Sequence, residues 1–307
     1  LAPVLAALLK PVVVPVYTFL GADPAMFAGS LLACDMGGGA LARQLTDDPQ
    51  AAALGGVITG SMLGATVVFT IPVAMGILRE EDRPVMAKGI LCGIVTIPLG
   101  VLAGGLTAGF PLTMVLRNLV PIVLIALLIA LGLWRAENAM VRGFEVFGKL
   151  VVAVATVGLA AAIGEALTGY PIIRGMEPIS EGFETVGIIA IVLAGAFPLV
   201  FVLTKLLRKP LLAAGGLLGI NDAAAAGLLA SLANSIAAFG MVKDMNERGK
   251  VVNIAFAVSG AFVFGDHLGF TAGFAPEMMG AMIVGKLVGG LTAIAAAWIL
   301  TRKSEKA

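Results

Sequence analysis

Ionisable side chains inside apolar runs are where a chain of this kind can do chemistry. Asp35 lies in "LLACDMGGG", Asp266 and the only histidine, His267, lie side by side in "FVFGDHLGF", and Lys286 lies in "VGKLVGG". A charge at membrane depth is costly and marks a substrate or ion pathway or a buried pair. Three glycines follow Asp35. They let a helix break, leaving free carbonyls beside a carboxylate, a set that suits a cation. Thr66 and Thr70, and likewise Ser231 and Ser235, are spaced i, i+4 and share a helix face. With Asn234 they make two polar patches that read as walls of one substrate path. The plainer reading is hydroxyls bonded back to their own helix carbonyls.

On a continuous helix Asp266 and His267 point about 100° apart. Gly265, Gly269 and Gly273 form a close-packing stripe, with Asp266 beside it and His267 further round. Asp266 is therefore expected to be the buried charge. His267 is expected to face elsewhere, as a proton acceptor or as packing. Lys286, between Gly285 and Gly289, reads as a structural partner that neutralises Asp35 or Asp266. Asp222 reads as a helix N-cap.

The elements that must position these residues follow from composition. Of 307 residues, 59% are hydrophobic and 13% charged, against about 25% charged in soluble domains. The mean hydropathy is +1.04. Several apolar stretches exceed the roughly 20 residues that span a bilayer, and no alternating pattern suggests a barrel. The expected fold is an all-α polytopic membrane protein in a single membrane domain, 1–307, with about ten transmembrane or re-entrant segments. They fall near 3–20, 25–42, 52–78, 86–109, 112–134, 148–168, 185–207, 211–220, 221–242, 251–274 and 278–300. Residues 25–42 and 211–220 are the two odd ones, expected to be re-entrant or discontinuous. The net charge of +1 offers no nucleic-acid surface. Cys34 and Cys92 form no Cys/His cluster in the sequence, so neither metal nor disulfide is expected. No G-x-S-x-G, P-loop lysine or H-E-x-x-H motif occurs, so neither an enzyme nor a cofactor is expected. The chain begins at Leu1 with no signal-peptide pattern before the first apolar run.

A shift of 165 residues lays 64–89 over 229–254. Thr66 then falls on Ser231, Thr70 on Ser235, and the "EDR" turn at 81–83 on "NER" at 246–248. About five crossings separate the two units, so the second is expected to run inverted, with repeat halves near 25–109 and 185–274. Inverted repeats with a midplane site are a transporter signature. The positive-inside rule puts loops 79–88, 135–149 and 205–209 in the cytoplasm. Strict alternation would then put the basic turn 243–250 outside.

Five stretches resemble one known family. "PVYTFLGADPAMFAGSLLACDMGG" (15–38), "IPVAMGI" (71–77), "GIVTIPLG" (93–100), "GDHLGF" (265–270) and "MIVGKLVGG" (282–290) are similar to the ethanolamine permeases of the bacterial ethanolamine-utilisation pathway. The similarity runs over nearly the whole chain. It implies a multi-pass inner-membrane protein that carries ethanolamine into the cytoplasm, by facilitated diffusion or ion coupling, with ethanolamine and the bilayer as partners and homo-oligomer formation left open. It also implies further hydrophobic sequence before Leu1. The family pattern has a proline after Ile236, where this chain has Ala237 and Ala238, so no helix break is expected there. The resemblance supplies no binding residues. On chemistry alone, Asp35 and Asp266 are the ammonium acceptors, and Asn234, Ser235 or Thr70 the hydroxyl partner. Tyr17, Tyr170, Trp134 and Trp298 all lie near segment ends, which speaks against an aromatic cage. The other functions weighed are a secondary transporter of another metabolite and a non-transporting ethanolamine sensor.

Overall fold

The computed structural model describes residues 1–304. Those residues form helices, turns and extended breaks, with no strand among them. The order begins with α1 (Ala2–Phe19), α2 (Ala25–Leu31), a short π-helix π1 (Cys34–Gly38), α3 (Gly39–Leu45) and α4 (Pro49–Ala53). Two further π-helices follow, π2 (Leu54–Gly64) and π3 (Thr66–Thr70), then α5 (Ile71–Ile77), α6 (Arg83–Ile94) and α7 (Ile97–Thr107). The long helices α8 (Leu112–Thr168) and α9 (Ile179–Leu218) precede α10 (Asp222–Ala233), α11 (Ser235–Met241), α12 (Glu247–Gly260), α13 (Asp266–Phe274) and α14 (Met279–Ser304).

Seven helical stretches among the described residues are long and apolar enough to cross a membrane. Backbone groups in lipid must be satisfied internally, so these define a multi-pass helical membrane protein. The count falls below the expected ten because several apolar segments are broken into pieces. Residues 25–42 contain three helical pieces, and 221–242 and 251–274 each fall into two α-helices. Residues 211–220, in contrast, are not a separate re-entrant piece. Residues 211–218 are the end of α9, which runs 40 residues, about 60 Å at 1.5 Å per residue. Within α8, Ala136 leaves helical geometry at φ −146°, ψ 49°. A Cβ added to Gly132 would sit 2.6 Å from Met140 Sδ, so the chain doubles back there. The stretches Leu112–Ala136 and Asn138–Thr168 are thus two legs of a hairpin.

Burial separates the molecule into two zones. Leu54–Gly64 is buried at every residue. The outer legs expose large apolar side chains, among them Leu150, Val157, Leu167, Phe183, Ile191 and Phe201. That is the signature of a lipid-facing surface.

Helices α6 and α12 pack face to face. Gly89 lies against Ile254 and Val251, and Gly93 against Val258 and Ala255. Contacts that advance together along both helices mean that the two run in the same direction. At their starts Lys250 Nζ donates to Asp82 Oδ1 at 2.7 Å. The two helix–turn–helix units, α5–α6 and α11–α12, therefore carry their charged turns on one face. This corrects the expectation that the second unit runs inverted, and it places turn 243–250 beside loop 79–88. The odd count of crossings failed because α10 and α11 are half-helices that return to the side they start from: Asn221, at the start of α10, donates from Nδ2 to Asp244 O, after α11, at 2.8 Å.

Two smaller expectations also shift. Asn221, not Asp222, caps α10, its side chain accepting from Ala224 N at 3.2 Å. α11 runs unbroken through Ala237 and Ala238, as the missing proline implied, but a break lies just before it, at Asn234 (φ −158°, ψ 126°).

Candidate functional site

The site is assembled from two helix breaks that face each other. The first lies between α2 and π1, where Leu32 and Ala33 are extended (ψ 139° and 150°). Glycines of π2 make this break possible. A Cβ on Gly64 would come 1.9 Å from Leu32 O, and one on Gly29 would come 1.8 Å from Gly55 O. Real Cβ atoms do not approach this closely, so backbone lies directly on backbone. Gly37, at φ 95°, takes a left-handed conformation natural to glycine. Asp35 sits between, at the start of π1, with 27% of its side chain accessible. Asp23 anchors the front of this unit. It accepts from Ala25 N and from Thr46 Oγ1, both at 2.8 Å.

The second break lies between α12 and α13. Residues 261–265 form a crossing strap rather than helix, so "FVFGDHLGF" is not one continuous helix. The strap crosses the break after α10. Phe262 N donates to Ser231 O at 3.0 Å and Phe264 N to Leu232 O at 2.9 Å. Gly265 passes so close to Ala233 that an added Cβ would sit 2.1 Å from its carbonyl. Phe262 has φ 62°, the only positive φ at a non-glycine among the described residues. Such conformations are rare for bulky side chains and cluster at functional sites. The strap delivers Asp266 as the first residue of α13, exposed, and His267 behind it at 4% exposure. Gly269 and Gly273 pack against α9 at Leu193, Ile189 and Ile188.

The two breaks are tied together. The Arg43 guanidinium, at the end of α3, lies 3.5 Å from the Phe274 ring centroid and donates to Phe274 O at 2.5 Å. A small cavity of about 30 Å³ remains between them, lined by Ala33, Asp35, Met36, Ala65, Phe69, Phe262, Asp266 and His267. His267 Nε2 and Asp35 Oδ1 stand 4.0 Å apart. That is too far for a hydrogen bond, yet a donor about 2.8 Å from each would fit. Lys286, fully buried, donates to Ser61 O at 2.5 Å. Its ammonium is close enough to Asp35, Cys34 and His267 to interact electrostatically. Among the described residues it forms no ion pair within 4.0 Å, so its direct partner is a carbonyl rather than the expected carboxylate.

The structure thus brings Asp35, Asp266 and His267 into one cavity and sets Lys286 behind it. It reverses the expected roles at 266–267. His267 is the buried member, and it shares the cavity with Asp266 instead of facing away. Asn234, Ser235 and Thr70 are not among the lining residues. The Asn234 amide oxygen is occupied capping α11, accepting from Ile236 N at 2.8 Å. The Ser235 hydroxyl is fully buried with no hydrogen-bond partner among the described residues, as are the hydroxyls of Ser231 and Ser259. His267 Nδ1 is also without one. Thr66 lies within donating distance of Met62 O (2.7 Å) and Val258 O (3.1 Å), as the plainer reading of these hydroxyls supposed.

Sequence reasoning missed two things. It searched tyrosine and tryptophan for an aromatic wall, while the wall is Phe69 and Phe262. Their rings meet edge to face at 5.4 Å, and Phe262 tilts against His267 at 5.2 Å. It also saw no Cys/His cluster, although Cys34 Sγ, an Asp35 oxygen and a His267 nitrogen lie within 4.8 Å of one another. Thiolate, carboxylate and imidazole could together hold a zinc-like ion. The Lys286 ammonium beside all three would oppose a divalent cation there. Only the fold could reveal this trio, since its members lie at opposite ends of the chain.

A multi-pass membrane protein with two facing helix breaks around a small acidic cavity has the architecture of a membrane transporter. Residues 1–300 match the family described as "Ethanolamine utilisation protein, EutH", and the chain belongs to that family. It is 60% identical over 306 residues to a protein of Listeria monocytogenes named "Probable ethanolamine permease EutH", covering all of this chain and 82% of that relative. A Salmonella typhimurium protein of the same name is 49% identical over 331 residues, covering 100% of this chain and 81% of the relative. "Uncharacterized protein YxeR" of Bacillus subtilis is 53% identical over 307 residues, again over the whole chain and 83% of the relative. No solved structure matches.

Proposed function

We propose that this protein carries ethanolamine across the bacterial inner membrane into the cytoplasm, and that it moves the protonated amine. One observation carries the reading: the cavity between the facing breaks. At formal charges, Asp35 and Asp266 contribute two negative charges and Lys286 one positive. The single negative charge left over matches one monocation. A primary ammonium donates up to three hydrogen bonds, and the Asp35 carboxylate and His267 Nε2 stand at a separation that one such nitrogen bridges. The family name and the names of the relatives supply ethanolamine as the amine.

The chain acts as one transport domain whose halves, near 25–109 and 185–274, meet at the cavity. Asp35 and Phe69 come from the first half, Phe262, Asp266 and His267 from the second. Discontinuous helices that meet at the substrate are suited to alternating access. A cation moving inward gains about 2.3 kcal/mol per 100 mV of membrane potential. Facilitated diffusion of ethanolammonium thus accumulates substrate with no coupling ion.

Uptake of labelled ethanolamine into proteoliposomes tests this. A potassium diffusion potential, inside negative, should raise uptake, and a pH gradient alone should do little. Uptake driven by the pH gradient and indifferent to the potential would replace facilitated diffusion with ion coupling. No uptake at all by folded protein would remove the transport reading.

A further inference from the structure

We propose that Phe69 and Phe262 set the specificity of the cavity, confining its ligand to a primary ammonium group and turning away N-methylated amines. The inference rests on the reading of the cavity as an ammonium site and extends it to the class of amine admitted.

Three observations carry it. The two rings form one continuous wall, Phe69 against Phe262 and Phe262 against His267. That wall lines, together with Asp35 and Asp266, a space of about 30 Å³. A single water already needs about 10–15 Å³ by a comparable measure, so an ammonium head fits and added methyl groups do not. Finally, the wall cannot easily retreat. Phe262 is held at φ 62° by the hydrogen bonds of Phe262 and Phe264 to α10, and by the close passage of Gly265 over Ala233. A side chain fixed this way is a rigid stop rather than a yielding packing residue.

The chemistry points the same way. A primary ammonium satisfies acceptors through its N–H groups while its positive charge lies against a ring face, a contact that strengthens when desolvated. Each N-methyl removes one donor and adds one methyl of bulk. The acceptors on Asp35 and His267 would then lose partners while the rings are pushed apart. Aromatic cages for quaternary ammonium groups solve the opposite problem, with wide walls and no demand for donors.

The test is uptake and competition in proteoliposomes with ethanolamine, N-methylethanolamine, N,N-dimethylethanolamine and choline. Wild-type protein should prefer ethanolamine over choline by at least about a hundredfold, with the methylated amines stepping down between. Phe69→Ala widens the wall, and Phe262→Gly does the same at a position whose backbone suits glycine. Either should cut the preference by about tenfold or more, mainly by admitting the methylated amines. Phe69→Leu keeps bulk without the ring. It should keep the order of preference but raise KM for ethanolamine about threefold or more.

Wild-type transport of choline as readily as ethanolamine would overturn the proposal, and needs no variant to read. So would an unchanged preference in Phe69→Ala and Phe262→Gly that still transport. Failure of the wild type to transport any of the four amines would instead strike at the underlying ammonium reading.

Discussion

Asp35 and Asp266 reach one cavity by two different kinds of helix break. The break before Asp35 is made by subtraction. Glycines at 29, 55 and 64 remove side chains until backbone rests on backbone, and a wide π-helix fills the space beside it. The break before Asp266 is made by addition. Its strap gains hydrogen bonds from Phe262 and Phe264 to α10, and Asn234 caps the half-helix that leaves the crossing. The first device is intolerant of any added atom. The second tolerates change in side chains but depends on polar partners. The carboxylates differ accordingly. Both residues are exposed overall, but the Asp35 side chain stands within reach of the buried Lys286 and His267, whereas Asp266 opens α13 at the rim.

The largest effect expected from this contrast is on uptake. Asp35→Asn should lower ethanolamine uptake a few hundredfold, about 3–4 kcal/mol, because the substrate cation loses the charge partner that faces His267 across the cavity. Asp266→Asn, at a solvated rim, should cost only about tenfold. Equal losses in the two variants would break the distinction between the carboxylate facing His267 and the one at the rim.

Next comes stability. Gly64→Ala places a methyl group on the Leu32 carbonyl and should destabilise by about 2–3 kcal/mol, seen as a lower Tm in detergent. Gly240→Ala, where nothing lies within 4 Å, should leave Tm unchanged or slightly raised. A neutral Gly64→Ala would show that the first break does not depend on backbone contact. A smaller change is expected at the second break. Asn234→Ala removes the cap of α11 at a cost of about 1 kcal/mol while leaving the order of substrate preference intact.

The smallest effect lies at the membrane face. The Asp82 carboxylate, hydrogen-bonded to Lys250, holds the Lys250 ammonium above its ordinary value near 10.5, with Glu247 adding to the shift. A raised folded-state value means that this contribution is fully present below pH 10.5 and fades as pH rises through the folded-state value. Thermal unfolding between pH 9 and 12 should therefore show a loss in wild type that Lys250→Met lacks. Parallel pH profiles for both proteins would show that the latch between the two turns contributes nothing.

Much of this was legible in the sequence, for physical reasons. A charge in an apolar run is so costly that Asp35, Asp266, His267 and Lys286 stood out without a structure, and the triple glycine after Asp35 announced a break. The break at Asn234 and the strap at 261–265 were not legible. They are stabilised by partners distant in sequence, and no proline marks them. The aromatic wall escaped because Phe69 and Phe262 look like ordinary core residues until the fold sets them against the carboxylates. The direction of the second unit was misread for a related reason. Counting apolar segments assumes that each crosses, and half-helices such as α10 and α11, whose two outer ends meet at Asn221 and Asp244, do not keep that count.

The central claim is that Asp35 holds the substrate ammonium, and equilibrium binding of labelled ethanolamine to purified protein tests it most directly. Wild type should bind saturably, and Asp35→Asn, with its Tm unchanged, should show no saturable binding over the same range. Binding by Asp35→Asn with wild-type affinity would contradict the account.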